Sequence, residues 1–457
     1  MSDLFAKLHD RPKDFNRNKP MLVPMSLSAF IEINMKPYRK YSGFILIIVI
    51  TLFSPVSLVL GQKVNYDESA VPAYKLPEVL IANDGSVIKD KKQWESIRRP
   101  ELLELFSSQM YGKTPTEQIL VNYQELAENK QALGGKATIK QIQLSFSNNN
   151  RIVNTILLLV LPNHVKKKVP IIVGYNYKGN HSVMADSTIL YSDNFKLVRD
   201  PKHQDWTRAV QANRWDFEQI IKRGYAVATM CYHDIFPDQE GFKQHSISAL
   251  FSDYPNTNAD AWEAIGAWAW GSSRIVDYLE TLPQIDKNRI AILGHSRHGK
   301  AALWAAAQDP RFRIVISNNS GEGGAALAKR KFGETIAIVS NIKPFWFAKN
   351  LNQYHHREED MPFDQHMLLA LIAPRPLYVA SAEQDLWADP KGEFLALYHA
   401  GPVYDLYHKK GINNQTMPGL HQPIMFDVGY HIRAGIHDVN SYDWFCYLKF
   451  LDLHAKK

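Results

Sequence analysis

The sequence predicts an α/β protein, a doubly wound, mostly parallel sheet flanked by helices in three layers. Two observations carry that expectation. From about residue 169 onward, short apolar runs rich in β-branched residues alternate with segments of helical composition, the pattern of strand–helix–strand units in a parallel sheet. One of these runs, residues 289–293, leads through Gly294-His295-Ser296-Arg297-His298-Gly299-Lys300 into the strong helix formers of residues 301–307. A serine is therefore pinched between glycines where a buried strand turns into a helix.

In chain order, the first feature is an apolar run, residues 44–53, preceded by Lys36, Arg39 and Lys40 and followed by Pro55. Roughly ten apolar residues fall short of the ~20 that cross a bilayer but match the core of a signal peptide. Val59-Leu60-Gly61 offers a small residue before Gln62, and Met35 would make an ordinary start. Residues 1–34 are thus expected to be a spurious or disordered N-terminal extension and 35–61 a signal peptide, leaving an exported chain, periplasmic or secreted, with no stable membrane span. An uncleaved anchor, lengthened by residues 56–60, is the alternative.

Residues 62–115 are Pro-rich and then helical around Trp94 and residues 98–106, as expected of an N-terminal extension packing on the core. Residues 116–457 are expected to form the catalytic domain. Within it, residues 137–146 and 151–161 alternate apolar and polar around Ser147-Asn148-Asn149-Asn150, which predicts a β-hairpin. Residues 169–173 and 225–231 read as buried strands. Residues 259–282 read as a long helix with Trp262, Ile265, Trp268, Ile275 and Leu279 at helical spacing. Strands at 312–317, 377–380 and 428–432 follow, with a helix starting near Ser441. There is no internal repeat and no low-complexity linker.

The net charge of +7 is unevenly placed, with eight Lys/Arg against four Asp/Glu in the first forty residues. That surplus of +4 leaves +3 for the remainder, with no basic stripe, so no nucleic-acid partner is expected. Ten tryptophans and 21 tyrosines suit a surface that stacks on sugar rings, although large aromatics more often build the core. Cys231 and Cys446 sit in apolar runs and read as buried small hydrophobes, with a bridge between them left open. Cys and His show no metal-ligand spacing, and His355-His356-Arg357-Glu358-Glu359-Asp360 reads as a solvated charged loop. No metal and no cofactor are expected.

The pinched serine has the form of the nucleophile elbow of an α/β-hydrolase, in which the turn lifts Oγ above the sheet. His298 stands where the second glycine of Gly-x-Ser-x-Gly would be, and Gly299 follows one later. Serine needs an imidazole to accept its proton and a carboxylate to fix that imidazole's tautomer. In this fold the acid and then the histidine follow the serine. His437, on the loop Ala434-Gly435-Ile436-His437-Asp438, is placed for the base, with His421, His431 and His408 as competitors. Among Glu383, Asp385 and Asp389, Asp385 lies just past a strand end and is the expected acid, whereas Asp389 before Pro390 reads as a turn or helix start. The loop 174–181 lacks the consecutive glycines of lipases, so the oxyanion partner is expected to be Arg297, through its amide and its side chain.

Four motifs appear in order: Gly294-x-Ser296-Arg297-x-Gly299-Lys300, Ser317-Asn318-Asn319-Ser320-Gly321-Glu322-Gly323-Gly324, Asp364-Gln365-His366-Met367 and Ile372-Ala373-Pro374-Arg375-Pro376. Together they resemble the glucuronoyl esterases of carbohydrate esterase family 15, specifically the bacterial branch, over about residues 94–453. The resemblance implies an α/β-hydrolase without a metal that cleaves esters between 4-O-methyl-D-glucuronic acid of glucuronoxylan and lignin alcohols. It implies Ser296 as nucleophile, His437 as base and Arg297 as oxyanion partner. The fungal pattern has a glutamate acid where this chain has Asn319, while some bacterial members place the acid where Asp385 stands. Lys300 and Glu334 match contacts to sugar hydroxyls and Trp387 an aromatic lining the pocket, although Lys300 alone would read as a solvated charge and Trp387 alone as core. Glu322 is a further pocket candidate. A monomer is expected. The alternatives are an acetylxylan esterase or other carbohydrate deacetylase using the same residues, an inactive carbohydrate-binding homologue and, third, a serine peptidase.

Overall fold

The computed structural model describes residues 64–192 and 206–455. The expected extension and signal peptide, residues 1–61, lie outside the described residues. Among the described residues ten strands form one sheet: β1 (Leu120–Gln131), β2 (Ala137–Asn148), β3 (Arg151–Pro162), β4 (Val169–Asn176), β5 (Ala226–Cys231), β6 (Ile285–His295), β7 (Ile314–Asn318), β8 (Leu377–Ala382), β9 (Ile424–Met425) and β10 (Val428–Arg433). Their order is β1-β2-β3-β5-β4-β6-β7-β8-β10-β9. Pairing is parallel from β5 through β4, β6, β7 and β8 to β10, and antiparallel at both ends of the sheet. This is the α/β-hydrolase arrangement expected of the sequence.

The parallel strands read as apolar runs because helices cover both faces. Every residue of β4, β5, β7, β8 and β10 is buried. The helices used below are α1 (Arg99–Phe106), α2 (Phe217–Lys222), α3 (Ala264–Leu279), α4 (Arg297–Gln308), α5 (Ile336–Ile342), α6 (Gln365–Ala370), α7 (Pro390–Leu406) and α8 (Ser441–Ala455). On one face Ile171, Val173, Ile290, Ile292 and Val379 pack with α1, α3, α4, α6 and α7. On the other, Ile172, Ala291, Leu293, Ile316 and Ala380 pack with α2 and α8. Alternate residues of each strand thus serve opposite cores, making three layers.

The hairpin forms as expected, with β2 paired antiparallel to β3 from Ala137↔Pro162 to Asn148↔Arg151. β1 was not anticipated. It is an edge strand, exposed along most of its length, with Glu125, Glu128 and Lys130 discouraging further pairing, so it lacks apolar alternation. α3 begins at Ala264 rather than near 259 because Ala261 runs extended and bridges Lys113. Side chains of the segment before β1 join the buried cluster on one face of the sheet. Trp94, Leu102, Phe106 and Tyr111 are buried, and Tyr111 stacks on Trp304 of α4 at 4.7 Å between centroids. Cys231 and Cys446 are both buried and free, which excludes a bridge between them. Among the described residues no helix is long and apolar enough to cross a membrane.

Candidate active site

β6, β7, β8 and β10 end at the same edge of the sheet, so the residues that follow them converge there, as ligand sites do in open α/β sheets. Ser296 comes directly after β6 and adopts φ 56°, ψ −128°, a left-handed conformation costly for a residue with a Cβ. Two contacts hold it. Its N–H donates to the Asn318 carbonyl at 2.8 Å, and its own carbonyl accepts from Gly299 N at 2.8 Å as α4 begins. Both glycines are required by space. A Cβ on Gly294 would lie 2.0 Å from the His298 carbonyl oxygen, and one on Gly299 would lie 2.8 Å from Ser320 Cβ. The displaced second glycine therefore still gives a tight elbow. His298 stacks on Tyr177 at 4.1 Å, and burial holds its imidazole well below the usual range.

Asp385 lies three residues past β8 and His437 four past β10. His437 Nδ1 is 2.5 Å from Asp385 Oδ2. The carboxylate is almost fully buried, while the imidazole is 39% exposed. With Nδ1 donating to a carboxylate, Nε2 is the lone-pair nitrogen.

The loop that carries His437 is clamped from below. Arg433 is buried and pairs through Nε with Asp443 Oδ2 at 2.7 Å. The rest of its guanidinium donates to the carbonyls of Ala434, Ile436 and Asp438. Arg214 Nε holds the Asp438 carboxylate at 2.6 Å. The competing histidines have other partners. His431 is buried between Tyr378 Oη and Asp443 Oδ1, both at 2.9 Å. His421 Nε2 faces the Ala434 N–H at 3.5 Å, and His408 sits in the turn after α7. Asp389 caps α7 through the Gly392 N–H and pairs with Arg330 at 2.8 Å, while Glu383 is exposed.

Arg297 opens α4 and reaches sideways. Its Nη1 pairs with Asp238, its guanidinium lies 4.9 Å from the Trp346 ring centroid, and its Nε is buried without a hydrogen-bond partner. Lys300, one turn on, is buried and donates to the carbonyls of Ser320 and Glu322 and to Glu334 Oε2 at 3.2 Å. Glu334 is brought beside Trp387 because its N–H donates to the Trp387 carbonyl at 2.9 Å. Only glycine fits before it: Gly333 has φ +65°, and a Cβ there would lie 2.4 Å from the Leu386 carbonyl oxygen.

Seven of the eight residues singled out from the sequence, Ser296, His437, Asp385, Arg297, Lys300, Glu334 and Trp387, line one cleft of about 370 Å³. Glu322 does not; it is buried behind the wall, accepting from the Gly323 N–H at 3.0 Å. Asn319 does line the cleft, and its Nδ2 faces the Asp438 carbonyl at 3.4 Å. The sequence reading missed Lys343, Trp346 and the exposed Ile342 in the same cleft. Burial, and then the Arg297 charge, bring the Lys343 ammonium down to about 8.

Glu393, inside α7, supports the cleft floor. One carboxylate oxygen accepts from the N–H groups of Ser320 and Gly321 at 2.7 and 3.1 Å, and the other from Ser381 Oγ at 2.6 Å. Burial pushes this carboxyl up to about 8 from its ordinary 4.5. Between those values the folded protein holds a proton that the unfolded chain has lost. The resulting stability is complete below about pH 4.5 and fades as pH rises through about 8. Glu393→Gln, which is neutral at every pH, should therefore give a flatter profile than wild type when urea unfolding is compared at about pH 5 and pH 8. Parallel profiles for the two proteins would contradict a proton on Glu393.

A family model described as glucuronyl esterase, fungi, matches residues 207–407. The chain is 40% identical over 421 residues to carbohydrate esterase MZ0003 from an unknown prokaryotic organism, a match covering 90% of this chain and 97% of that one. It is 39% identical over 207 residues to 4-O-methyl-glucuronoyl methylesterase 1 of Phanerochaete chrysosporium, covering 42% of this chain and 44% of the fungal one. Among solved structures, a glucuronoyl esterase from Solibacter usitatus superposes with TM-score 0.79 at 46% identity, covering 84% of this chain and 99% of that chain. A promiscuous esterase of family 15 from a marine bacterial metagenome superposes with TM-score 0.80 at 40% identity, covering 86% and 100%. Likeness over nearly the whole length of the three prokaryotic relatives, on the fold and cleft just described, shows that the chain belongs to the glucuronoyl esterases of carbohydrate esterase family 15 and is a carboxylic ester hydrolase.

Proposed function

We propose that this protein is an exported serine esterase. It hydrolyses the ester between 4-O-methyl-D-glucuronic acid of glucuronoxylan and lignin alcohols, with Ser296, His437 and Asp385 as its catalytic residues. The observation that carries the reading is the 2.5 Å contact of His437 Nδ1 with Asp385, at a cleft that Ser296 and Arg297 also line. The apolar run at residues 44–53 behind Lys36, Arg39 and Lys40 supports export.

The reaction proceeds by acyl transfer. Ser296 Oγ attacks the uronate carbonyl as His437 Nε2 takes its proton, and the buried Asp385 carboxylate stabilises the imidazolium. The carbonyl oxygen becomes an oxyanion, which the Arg297 amide and the Arg297 guanidinium charge stabilise. The alcohol leaves with the proton from His437. Water then attacks the uronoyl-serine with His437 again as base, releasing the carboxylic acid, which ionises. Lys300 and Glu334 offer a charged donor and acceptor to sugar hydroxyls.

Methyl or benzyl glucuronate measured beside acetylated xylan tests the substrate. The uronate ester should be turned over and the acetyl ester spared, and the reverse order would sink the reading. On the uronate ester, Arg297→Ala should lower kcat by about 10²-fold or more with little change in KM, because the lost guanidinium binds mainly the transition state. A variant within a few-fold of wild type would remove the Arg297 side chain from the oxyanion site.

A further inference from the structure

We propose that Asp238, outside the cleft, is the positioning residue for Arg297, and that its charge, set against that of Lys343, governs how tightly the free uronate product is held. This deepens the esterase reading and rests on it.

Asp238 lies seven residues beyond β5, and its side chain is 2% exposed. Four side chains donate to its two oxygens. Oδ2 accepts from Arg297 Nη1 and from Tyr232 Oη at 2.9 Å. Oδ1 accepts from Trp346 Nε1 at 2.8 Å and from Lys343 Nζ at 3.3 Å. Its backbone N–H donates to His233 Nδ1 at 3.0 Å, so the main chain is fixed too. Four donors occupy about all the acceptor directions a carboxylate has. Three of the four, Arg297, Lys343 and Trp346, line the cleft.

The first consequence is orientation. A guanidinium has a planar fork of five N–H donors. Asp238 ties down the Nη1 tip against the Trp346 ring and thereby leaves Nε as the buried donor without a partner. Rotation of the side chain toward solvent would cost the bond to Asp238.

The second consequence is charge. Substrate ester is neutral and product uronate is an anion, formed beside Arg297 and Lys343. One carboxylate set against two cations leaves a local surplus of +1. Loss of Asp238 raises it to +2, loss of Lys343 lowers it to zero, and loss of both returns it to +1. Product affinity should follow that series while affinity for the neutral ester stays nearly flat.

The test measures kcat on methyl glucuronate and the inhibition constant of free glucuronate for wild type, Asp238→Asn, Lys343→Met and the double variant. Asp238→Asn should lower kcat about tenfold or more yet tighten glucuronate inhibition about tenfold, whereas a merely structural lesion would weaken it. Lys343→Met should weaken inhibition. The double variant should restore the wild-type inhibition constant while kcat stays depressed, because the surplus of +1 is regained but the fork is still untethered. An inhibition constant that ignores these charges, or a double variant that recovers kcat, overturns the proposal. Should Asp238→Asn fail to fold, Lys343→Met decides alone, and unchanged inhibition overturns it. A wild-type protein inert toward the ester overturns the esterase reading and this proposal together, whereas an active wild type with unresponsive variants overturns this proposal only.

Discussion

Ser296→Ala is expected to lower kcat on methyl glucuronate by at least about 10⁴-fold, to the level that binding and oxyanion stabilisation sustain without a nucleophile. The geometry makes this a clean deletion. The elbow at φ 56° is held by backbone bonds to Asn318 and Gly299 and by the absence of Cβ atoms at Gly294 and Gly299. None of these involves the Ser296 side chain, and alanine keeps the Cβ that the strained turn already accommodates. Thermal stability and inhibition by free glucuronate should therefore stay near wild type. Residual turnover above about one hundredth of wild type would mean that another group attacks the ester.

What the sequence made legible divides along physical lines. The elbow could be read because its residues are local and its glycines are steric necessities. The parallel strands could be read because two-sided burial demands apolar runs, and β1 could not because an exposed edge has no such demand. His437 could be separated from His431 because a histidine inside a buried strand is better explained by internal partners, which it has in Tyr378 and Asp443. Asp238, Lys343 and Trp346 left no comparable trace. Each comes from a loop, and Phe236-Pro237-Asp238-Gln239 reads as an ordinary turn. Their meaning arises only where the segments around 238, 297 and 343 meet, and that meeting is a property of the sheet order. Arg433 did leave a signal, since a charged residue ending an apolar strand must find a buried partner. It finds one in Asp443, and its remaining donors hold the His437 loop.

Asp385→Asn should be the second large loss, about 10³- to 10⁴-fold in kcat with KM little changed. The amide is nearly isosteric with the carboxylate, so the cleft should keep its shape. It carries no charge to stabilise the imidazolium. If its NH₂ turns toward His437 Nδ1, the imidazole must hold its proton on Nε2, where it can no longer accept from Ser296. Because the native contact is 2.5 Å with the carboxylate 3% exposed, solvent cannot substitute for the lost charge. Position 319 supplies a sharper variant of the same test. Asn319 lines the cleft beside the loop that carries His437, where the fungal pattern has its glutamate. Asn319→Glu in the Asp385→Asn background should recover about tenfold or more of the lost rate. In the otherwise unaltered protein, where the imidazole already has its acid, the same change should add nothing. Were Asp385→Asn to retain more than a tenth of wild-type kcat, the carboxylate at 385 would be a wall of the cleft and the acid would have to be sought elsewhere.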